Sequence, residues 1–255
     1  MNPRPGLRQG LIELRQAFTG TELIGNLFWP VATLVAVVLL RDRGTLILPG
    51  TLGMFVAFGT LLMVQNLAAD REDGTLLRAK AIPDGIRGYL IGKLVTVSAT
   101  VLAYLTILLA PGLILFSGLT VQWPTLIWVV ALGLIATQTI GAVLGSLISS
   151  SRGAGVLSLP VLALVATSGI FVPITALPTW VATAAKVFPV YWLGEGMRGA
   201  TLAGGTWQLS TAALILGAWS LAGLVAAPVL LRRMSRLESG SRVAARRARL
   251  LRSVG

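Results

Sequence analysis

The sequence contains no cysteine and no histidine, and only nine of its 255 residues are acidic. Without these two side chains the protein has no disulfide bond, no thiolate nucleophile, no imidazole general base and neither of the commonest ligands of transition metals. A catalytic site would have to consist of carboxylates alone, and few are available. We therefore predict no catalytic residues, no metal site and a function other than that of an enzyme.

Charged residues are also scarce, at 12% of the sequence, whereas 55% is hydrophobic and the mean hydropathy is +0.83. Uncharged apolar stretches of about 18 or more residues are typical of transmembrane helices, and the chain has several. The net charge of +12 comes from basic residues that flank these stretches. That placement is typical of topology signals and of contacts with anionic membrane lipids, and it argues against nucleic acid as a partner.

The apolar stretches predict an all-α integral membrane fold, with a transmembrane domain of six helices over residues 23–231. The predicted spans are Leu23–Leu40, Thr45–Ala69, a pair within Leu94–Ser151, Gly153–Phe171 and Trp207–Leu231. We expect the hairpin between the paired spans near Ser117–Thr125, where glycine, tryptophan and proline interrupt the apolar pattern.

Three further segments lie before, between and after these spans. Residues 1–22 carry leucines at helical spacing and arginines on another face, which predicts an amphipathic helix in the membrane interface or, alternatively, an ordinary charged segment before a span. Residues 172–205 are too rich in proline for a clean span and too apolar for a solvated loop, so we predict short interfacial or re-entrant helices. Residues 232–255 form a basic tail with eight arginines.

The distribution of basic residues predicts the orientation. With the N-terminus in the cytoplasm, 17 of the 21 lysines and arginines lie in cytoplasmic segments and four lie outside. Cytoplasmic loops of membrane proteins carry an excess of these residues. We therefore expect a multi-pass protein with both termini in the cytoplasm.

Residues 70–93 form a charged segment between long apolar runs. Its nine ionisable residues are Asp70, Arg71, Glu72, Asp73, Arg78, Lys80, Asp84, Arg87 and Lys93. Each would cost about 2.5–3.5 kcal/mol at the centre of a spanning helix, so we expect the segment to lie in water or against another protein. We predict a short helix that begins at Asp70, a turn at Pro83-Asp84-Gly85 and a new span from Tyr89.

Apolar residues within the charged segment indicate its role. A solvated loop that obeys the positive-inside rule would not require Leu76, Leu77 and Ile82, whereas docking into a groove on a partner would use them. The partner would also have to supply any ATPase activity. The nearest approach to a phosphate-binding loop, Gly88 to Leu94, has the wrong spacing and lacks the hydroxyl that contacts magnesium.

A few polar residues lie in or near the predicted spans. Gln65, Asn66, Gln138 and Ser168 either form hydrogen bonds between helices or line a path for an amphiphilic substrate. Glu195 and Arg198 are three residues apart, so they would be neighbours on a helix and able to pair. We expect that pair to hold the external segment.

Two ordered motifs give the chain a resemblance to a known family. The first is Arg71-Glu72-Asp73-Gly74-Thr75-Leu76, followed by Pro83 and by Tyr89 to Lys93; the second is Ser168 to Pro173, Leu177 to Trp180, Pro189 and Glu195 to Arg198. Together with six spans, these motifs resemble the membrane subunits of ATP-binding-cassette exporters of the type-2 permease class. Within that class the chain is similar to small bacterial drug- or antibiotic-resistance permeases.

The resemblance implies an assembly and a location. Two permeases, identical or related, and two cytoplasmic ATPase subunits would form an exporter in the bacterial plasma (inner) membrane. ATP and magnesium would bind to the ATPase subunits, and this chain would bind no cofactor. Residues 70–83 would be the coupling helix that docks on the ATPase, and residues 1–22 would be a connecting helix beside it.

The resemblance also implies roles for three groups of residues. The ATPase-coupling residues would be Asp70, Arg71, Glu72, Asp73, Gly74, Thr75, Leu76 and Leu77. A substrate path along spans two and five at the dimer interface would involve Gln65, Asn66, Ser168 and Phe171. The external gate would be formed by Pro173, Pro178, Trp180, Pro189, Glu195 and Arg198.

Other functions remain open on the sequence. An exporter of polysaccharide or of lipid-linked glycan would share the architecture, although the apolar path favours an amphiphile such as a drug, an antibiotic or a lipid. A secondary carrier would need no ATPase but would need a titratable group within the membrane. A membrane enzyme would need catalytic groups at one interface, where only the carboxylates of residues 70–84 are available.

Overall fold

The computed structural model describes residues 21–72, 74–80, 85–148, 151–169, 174, 177–203 and 207–252, and within these ranges the regular elements are helices. The helices are α1 (Thr21–Leu39), α2 (Arg41–Glu72), α3 (Thr75–Lys80), α4 (Gly85–Leu115), α5 (Trp123–Ser146), α6 (Ser151–Thr167), α7 (Thr179–Ala185), α8 (Pro189–Thr201) and α9 (Leu209–Arg252). Nearly all of the predicted connecting helix, residues 1–20, lies outside the described ranges.

Among the described residues, four helices are long and apolar enough to cross a membrane. They are Asp42–Glu72, Gly88–Leu115, Trp123–Ser146 and Leu209–Arg233. Two shorter apolar stretches, Leu27–Leu39 and Ser158–Thr167, lie where we predicted the first and fifth spans. The prediction of an all-α membrane protein is confirmed for the part of the chain that the structure describes.

Helix α2 lies at the centre of the bundle. It packs against α1, α3, α4, α5, α6 and α8, and α5 packs in turn against α9. The backbones of α2 and α5 approach closely because Gly141 has no side chain. A Cβ atom there would lie 2.5 Å from the carbonyl oxygen of Thr60. Small residues commonly permit such close packing between helices in membranes.

Hydrogen bonds between helices reinforce this packing. Thr60 Oγ1 on α2 donates to the carbonyl oxygen of Thr137 on α5 at 3.0 Å, and Thr137 Oγ1 donates back to that of Val56 at 3.1 Å. Gln138 Nε2 donates to Ser98 Oγ on α4 at 2.9 Å. Gln138 therefore forms a hydrogen bond between helices, as one of our two interpretations predicted.

The bundle has two distinct ends. At one end, Arg71 near the end of α2 contacts Ser146 at the end of α5; we call this the Asp70 end. At the other end, the amide of Thr120 donates to the carbonyl oxygen of Thr201, so the start of α5 and the end of α8 lie together. We call it the Trp123 end.

At two places the helices do not begin or end where the composition of the sequence changes. Helix α9 continues past Leu231 to Arg252, so the backbone of the predicted basic tail is continuous with the last span. Within residues 172–205 the structure describes two short helices, α7 and α8. Helix α8 is almost fully buried and packs against α2, α5 and α9.

Candidate functional site

We predicted a short helix that begins at Asp70, and this start is wrong. Asp70, Arg71 and Glu72 form the last turn of α2, and the next helix begins at Thr75. Helix extension adds one hydrogen bond for each residue, so α2 continues from its apolar run through the first charges. Gly74 then adopts a left-handed φ of +72° while its amide donates to the carbonyl oxygen of Arg71 at 3.1 Å. Asp73 lies outside the described ranges.

Four polar side chains from two long helices meet at this end. Lys93 Nζ lies 2.9 Å from Asp70 Oδ2 and donates to Asn66 Oδ1 at 3.3 Å. The Tyr89 hydroxyl donates to the same Asp70 oxygen at 2.6 Å. Asn66 and Asp70 come from α2, whereas Tyr89 and Lys93 come from α4. We call these four residues the Asp70 cluster.

The burial of the Asp70 cluster corrects our expectation for the charged segment. The side chains of Asp70 and Lys93 are only 13% and 6% exposed, although we expected every charge here to lie in water or against another protein. Pairing makes this burial tolerable, because each charge replaces lost hydration with an opposite charge and hydrogen bonds. A buried ionisable pair near a span end was therefore missed from the sequence.

Arg71 connects the same end of α2 to α5. The residue is 8% exposed, and its Nη2 donates to the carbonyl oxygen of Ser146 at 2.9 Å. Carbonyl groups in the last turn of a helix have no partner within that helix, so this one is available to the guanidinium. Arg71 thereby fixes the distance between the ends of two central helices.

The short helix α3 rests on this end of the bundle. Leu76 is 1% exposed and belongs to the hydrophobic core, whereas we expected it to dock on a partner. Glu72 is exposed, and Gly74 and Thr75 are partly exposed. Helix α3 packs against both α2 and α4. Leu76 therefore attaches α3 to this chain, and Glu72 and Thr75 remain accessible from outside.

The three described residues that were predicted for a substrate path have different surroundings. Asn66 belongs to the Asp70 cluster, Gln65 is exposed, and Ser168 is 1% exposed with its hydroxyl donating to Val165 of its own chain segment. Phe171 lies outside the described ranges. None of the three described residues lines either of the two cavities that follow.

Large apolar cavities open between the helices of the described part of the chain, and two of them are lined as follows. One, of about 510 Å³, lies against α2, α4 and α5 and includes Leu52, Leu109, Trp123 and Met197 in its lining. The other, of about 570 Å³, lies against α2, α5, α6 and α9 and includes Thr60, Thr137, Pro160 and Trp219. Cavities of this size and apolar character are typical of sites for small organic molecules.

The predicted pair of Glu195 and Arg198 is confirmed at the Trp123 end. Arg198 Nη2 lies 2.9 Å from Glu195 Oε1 within α8. Arg198 Nη1 also donates to the carbonyl oxygen of Gly169 at 3.1 Å, and its guanidinium carbon lies 5.9 Å from the centre of the Trp207 ring. Arg198 therefore joins α8 to the chain after α6 and to the start of the α9 region.

The other predicted gate residues differ in their surroundings. Pro178 and Trp180 are exposed, and Trp180 retains 76% of its accessible surface. Pro189 is buried at the first position of α8, where its missing amide hydrogen costs no helical hydrogen bond. Pro173 lies outside the described ranges. Pro178, Trp180 and Pro189 thus divide between the exposed start of α7 and the buried start of α8.

A comparison with protein families identifies the class of the chain. Residues 43–228 match the family model described as ABC-2 family transporter protein. The chain belongs to the ABC-2 transporter family. The resemblance seen in the two sequence motifs is thereby confirmed. No curated protein matches the chain at a significant level.

Membership of the ABC-2 family makes this chain the permease component of an ABC transporter. Permeases of this family typically work with a cytoplasmic ATPase. The matched region begins in the first turn of α2 and ends within α9. It therefore contains the Asp70 cluster, α3, both cavities and the buried helix α8.

Proposed function

We propose that the chain is the membrane subunit of an exporter that moves an amphiphilic substrate, such as a drug, an antibiotic or a lipid-like molecule, out of a bacterial cell. A separate ATPase subunit that binds ATP and magnesium would supply the energy. The family match over residues 43–228 carries the proposal. The absence of a phosphate-binding loop from the full sequence supports the need for a separate ATPase.

The proposed topology has six spans and both termini in the cytoplasm of a cell with this protein in its plasma membrane. Helices α1 and α6 would supply the two spans beyond the four that are long and apolar enough. The excess of lysine and arginine supports a cytoplasmic Asp70 end. Two copies of the permease, or this chain and a related one, would assemble with two ATPase subunits.

Coupling would occur through the segment from Asp70 to Leu77. The exposed Glu72 and the partly exposed Thr75 would contact the ATPase, and the buried Leu76 would transmit its motion to the bundle. Arg71 would pass the motion to α5 through its hydrogen bond to Ser146. When the ATPase subunits close on ATP, the substrate cavity would narrow and release its contents past the external segment.

The cavity of about 570 Å³ favours an amphiphilic substrate. Its lining includes residues from both the second and the fifth predicted spans, such as Thr60 and Pro160. Its apolar walls would bind a hydrocarbon or an aromatic group, whereas a sugar polymer would find few hydrogen-bond partners there. Glycan export therefore remains the second candidate substrate class, without a supporting contact in this cavity.

Affinity purification of the full chain from its native membrane tests the assembly. We expect an ATPase with a phosphate-binding loop to co-purify in equal amount. Inverted vesicles that contain both proteins should then accumulate ethidium when ATP is added, and an ionophore that collapses the proton gradient should leave this accumulation unchanged. Accumulation that needs the proton gradient and no ATP would indicate a secondary carrier and would contradict the proposal.

A matched pair of variants tests the coupling segment. Glu72→Ala combined with Gly74→Pro should abolish ATP-driven transport, because it removes an exposed charge and the left-handed turn before α3. Asp42→Asn, an exposed carboxylate at the opposite end of the same helix, serves as the control. Equal transport in the two variants would show that the segment has no coupling role.

A further inference from the structure

The Asp70 cluster joins α2 and α4 through side chains at matching helical positions. Asn66 and Asp70 are four residues apart on α2, and Tyr89 and Lys93 are four residues apart on α4. Residues at this spacing lie on one face of a helix, one turn apart. Two pairs of polar side chains therefore face each other across the helix interface. This spacing is visible in the sequence, but the partnership of the two pairs is not.

The contacts within the Asp70 cluster depend on one another. Tyr89 and Lys93 approach the same oxygen atom, Asp70 Oδ2, at 2.6 and 2.9 Å, and Lys93 reaches Asn66 as well. Rotation of α4 about its axis would separate all three contacts together, and a slide by one helical turn would change which of the four side chains face each other. The cluster is therefore satisfied in only one register of α4 against α2.

Stability alone is a weak reason for such a cluster. A buried ion pair commonly offers little net gain over apolar residues of the same volume, and its best-attested use is to specify one arrangement of helices. The cluster also lies where α2 and α4 are joined through α3, whose Leu76 is anchored in the core. A force on α3 would reach both long helices at this point.

We infer that Asn66, Asp70, Tyr89 and Lys93 are positioning residues that lock the register of α4 against α2. With the lock intact, a displacement of α3 moves the two long helices as one body. The lock is a property of this chain alone, whereas its part in coupling rests on the proposed function. The two parts therefore require separate measurements.

The first measurement tests the lock without ATP or substrate. Because the chain has no cysteine, Ala69→Cys and Ile91→Cys, both at exposed positions, can be spin-labelled without first removing any native cysteine. In nanodiscs, double electron–electron resonance should give one narrow distance for the parent and a broader or shifted distribution in Asp70→Asn and Lys93→Met. Replacing the ion pair by a neutral pair, Asp70→Asn with Lys93→Gln, should restore the narrow distance.

The control for the lock is Asp42→Asn, which makes the same chemical change at an exposed site on α2. It should leave the distance unchanged. Tyr89→Phe removes a single hydrogen bond and serves as a milder variant in case the charge variants fail to fold; it should broaden the distribution less. The inference would be overturned if Lys93→Met kept the narrow distance of the parent. If the charge variants do not fold, the same result in Tyr89→Phe would overturn it.

The second measurement tests the role in coupling, with the complete permease–ATPase complex in nanodiscs. Thr179→Cys, exposed in α7, reports motion through its rate of reaction with a maleimide. ATP with vanadate should change this rate in the parent. Normalised to the ATP hydrolysed, the change should fall about tenfold in Lys93→Met and less in Tyr89→Phe.

The outcomes separate the inference from the proposed function. If the parent does not respond to ATP, the proposed function fails while the lock, measured without ATP, stands. If the parent responds and the Lys93→Met complex responds equally for each ATP hydrolysed, the role of the lock in coupling is wrong. If the variant only lost folded protein, the change in the maleimide rate and the amount of ATP hydrolysed would fall together and their ratio would stay the same. An unchanged ratio would therefore also contradict the role of the lock in coupling.

Discussion

The two ends of the bundle use similar charged groups in different ways. At the Asp70 end, Asp70 and Lys93 are 2.9 Å apart and come from two long helices. At the Trp123 end, Glu195 and Arg198 are also 2.9 Å apart but lie three residues apart in one short helix. The distance is the same, yet the first ion pair itself joins two long helices, whereas the second lies within one short helix, and Arg198 reaches other segments only through its contacts with Gly169 and Trp207.

The neighbours of the two pairs explain what each contributes. Helix α8 is held at the Trp123 end by its own burial and by backbone hydrogen bonds from Thr120 and Gln122 to Thr201 and Ala200. The contact between α2 and α4 at the Asp70 end relies on side chains. We therefore expect changes at the Asp70 end to alter helix arrangement, and equivalent changes at the Trp123 end to be milder.

Lys93→Met should have the largest effect. It leaves the carboxylate of Asp70 buried without its cation, and breaking a buried ion pair in this way costs about 3–5 kcal/mol. Thermal unfolding of the full chain in nanodiscs, followed by the fluorescence of its seven tryptophans, measures the loss. A cost as small as that of a surface charge would remove the distinction between the two ends.

Tyr89→Phe should rank second. The hydroxyl donates to a charged oxygen at 2.6 Å, and hydrogen bonds to charged groups contribute about 1.5–3 kcal/mol. The phenyl ring keeps the rest of the buried side chain in place, so the same unfolding assay isolates the hydrogen bond. In the Lys93→Met background the added cost should be smaller, because the cluster is already broken; additive costs would show that the two contacts act independently.

Arg198→Met should destabilise the Trp123 end by about 1–2 kcal/mol. The change leaves the carbonyl oxygen of Gly169 without this donor, and an unsatisfied buried group costs about 1–3 kcal/mol. The partial exposure of Arg198, 18% of its side chain, favours the lower part of that range. Hydrogen exchange of the α8 amides would report the loss locally. Exchange that spreads to α2 and α4 would show that this pair also joins long helices.

Glu195→Gln should have the smallest effect, because its ion pair links two neighbours that the helix already holds together. Glutamine keeps an oxygen that can accept from Arg198, and the contact of Arg198 with Gly169 does not involve Glu195. The matched variant is Asp70→Asn, the same loss of one carboxylate charge at the other end. Equal shifts in unfolding temperature for these two variants would contradict the comparison between the ends.

The positions of helices were largely predictable, because length and apolarity alone decide whether a segment can cross a membrane. Four predicted spans coincide with helices long enough to do so. The pairing of Glu195 with Arg198 was predictable for the same kind of reason, since helical spacing makes them neighbours. The pairing of Lys93 with Asp70 was not predictable, because the two residues lie 23 positions apart in the chain and on different helices.

The amino-acid sequence by itself determined the membrane class, the order of the apolar helices and the family. These depend on local composition and on motifs, which can be read one segment at a time. Only the tertiary structure decided that α2 extends to Glu72, that Leu76 faces the core and that Asn66 on α2 contacts Lys93 on α4. Each of these depends on contacts between segments that are distant in the sequence. Apolar side chains such as Leu76 pack against one another, and polar or charged groups that lose their hydration on burial need hydrogen bonds or opposite charges in its place.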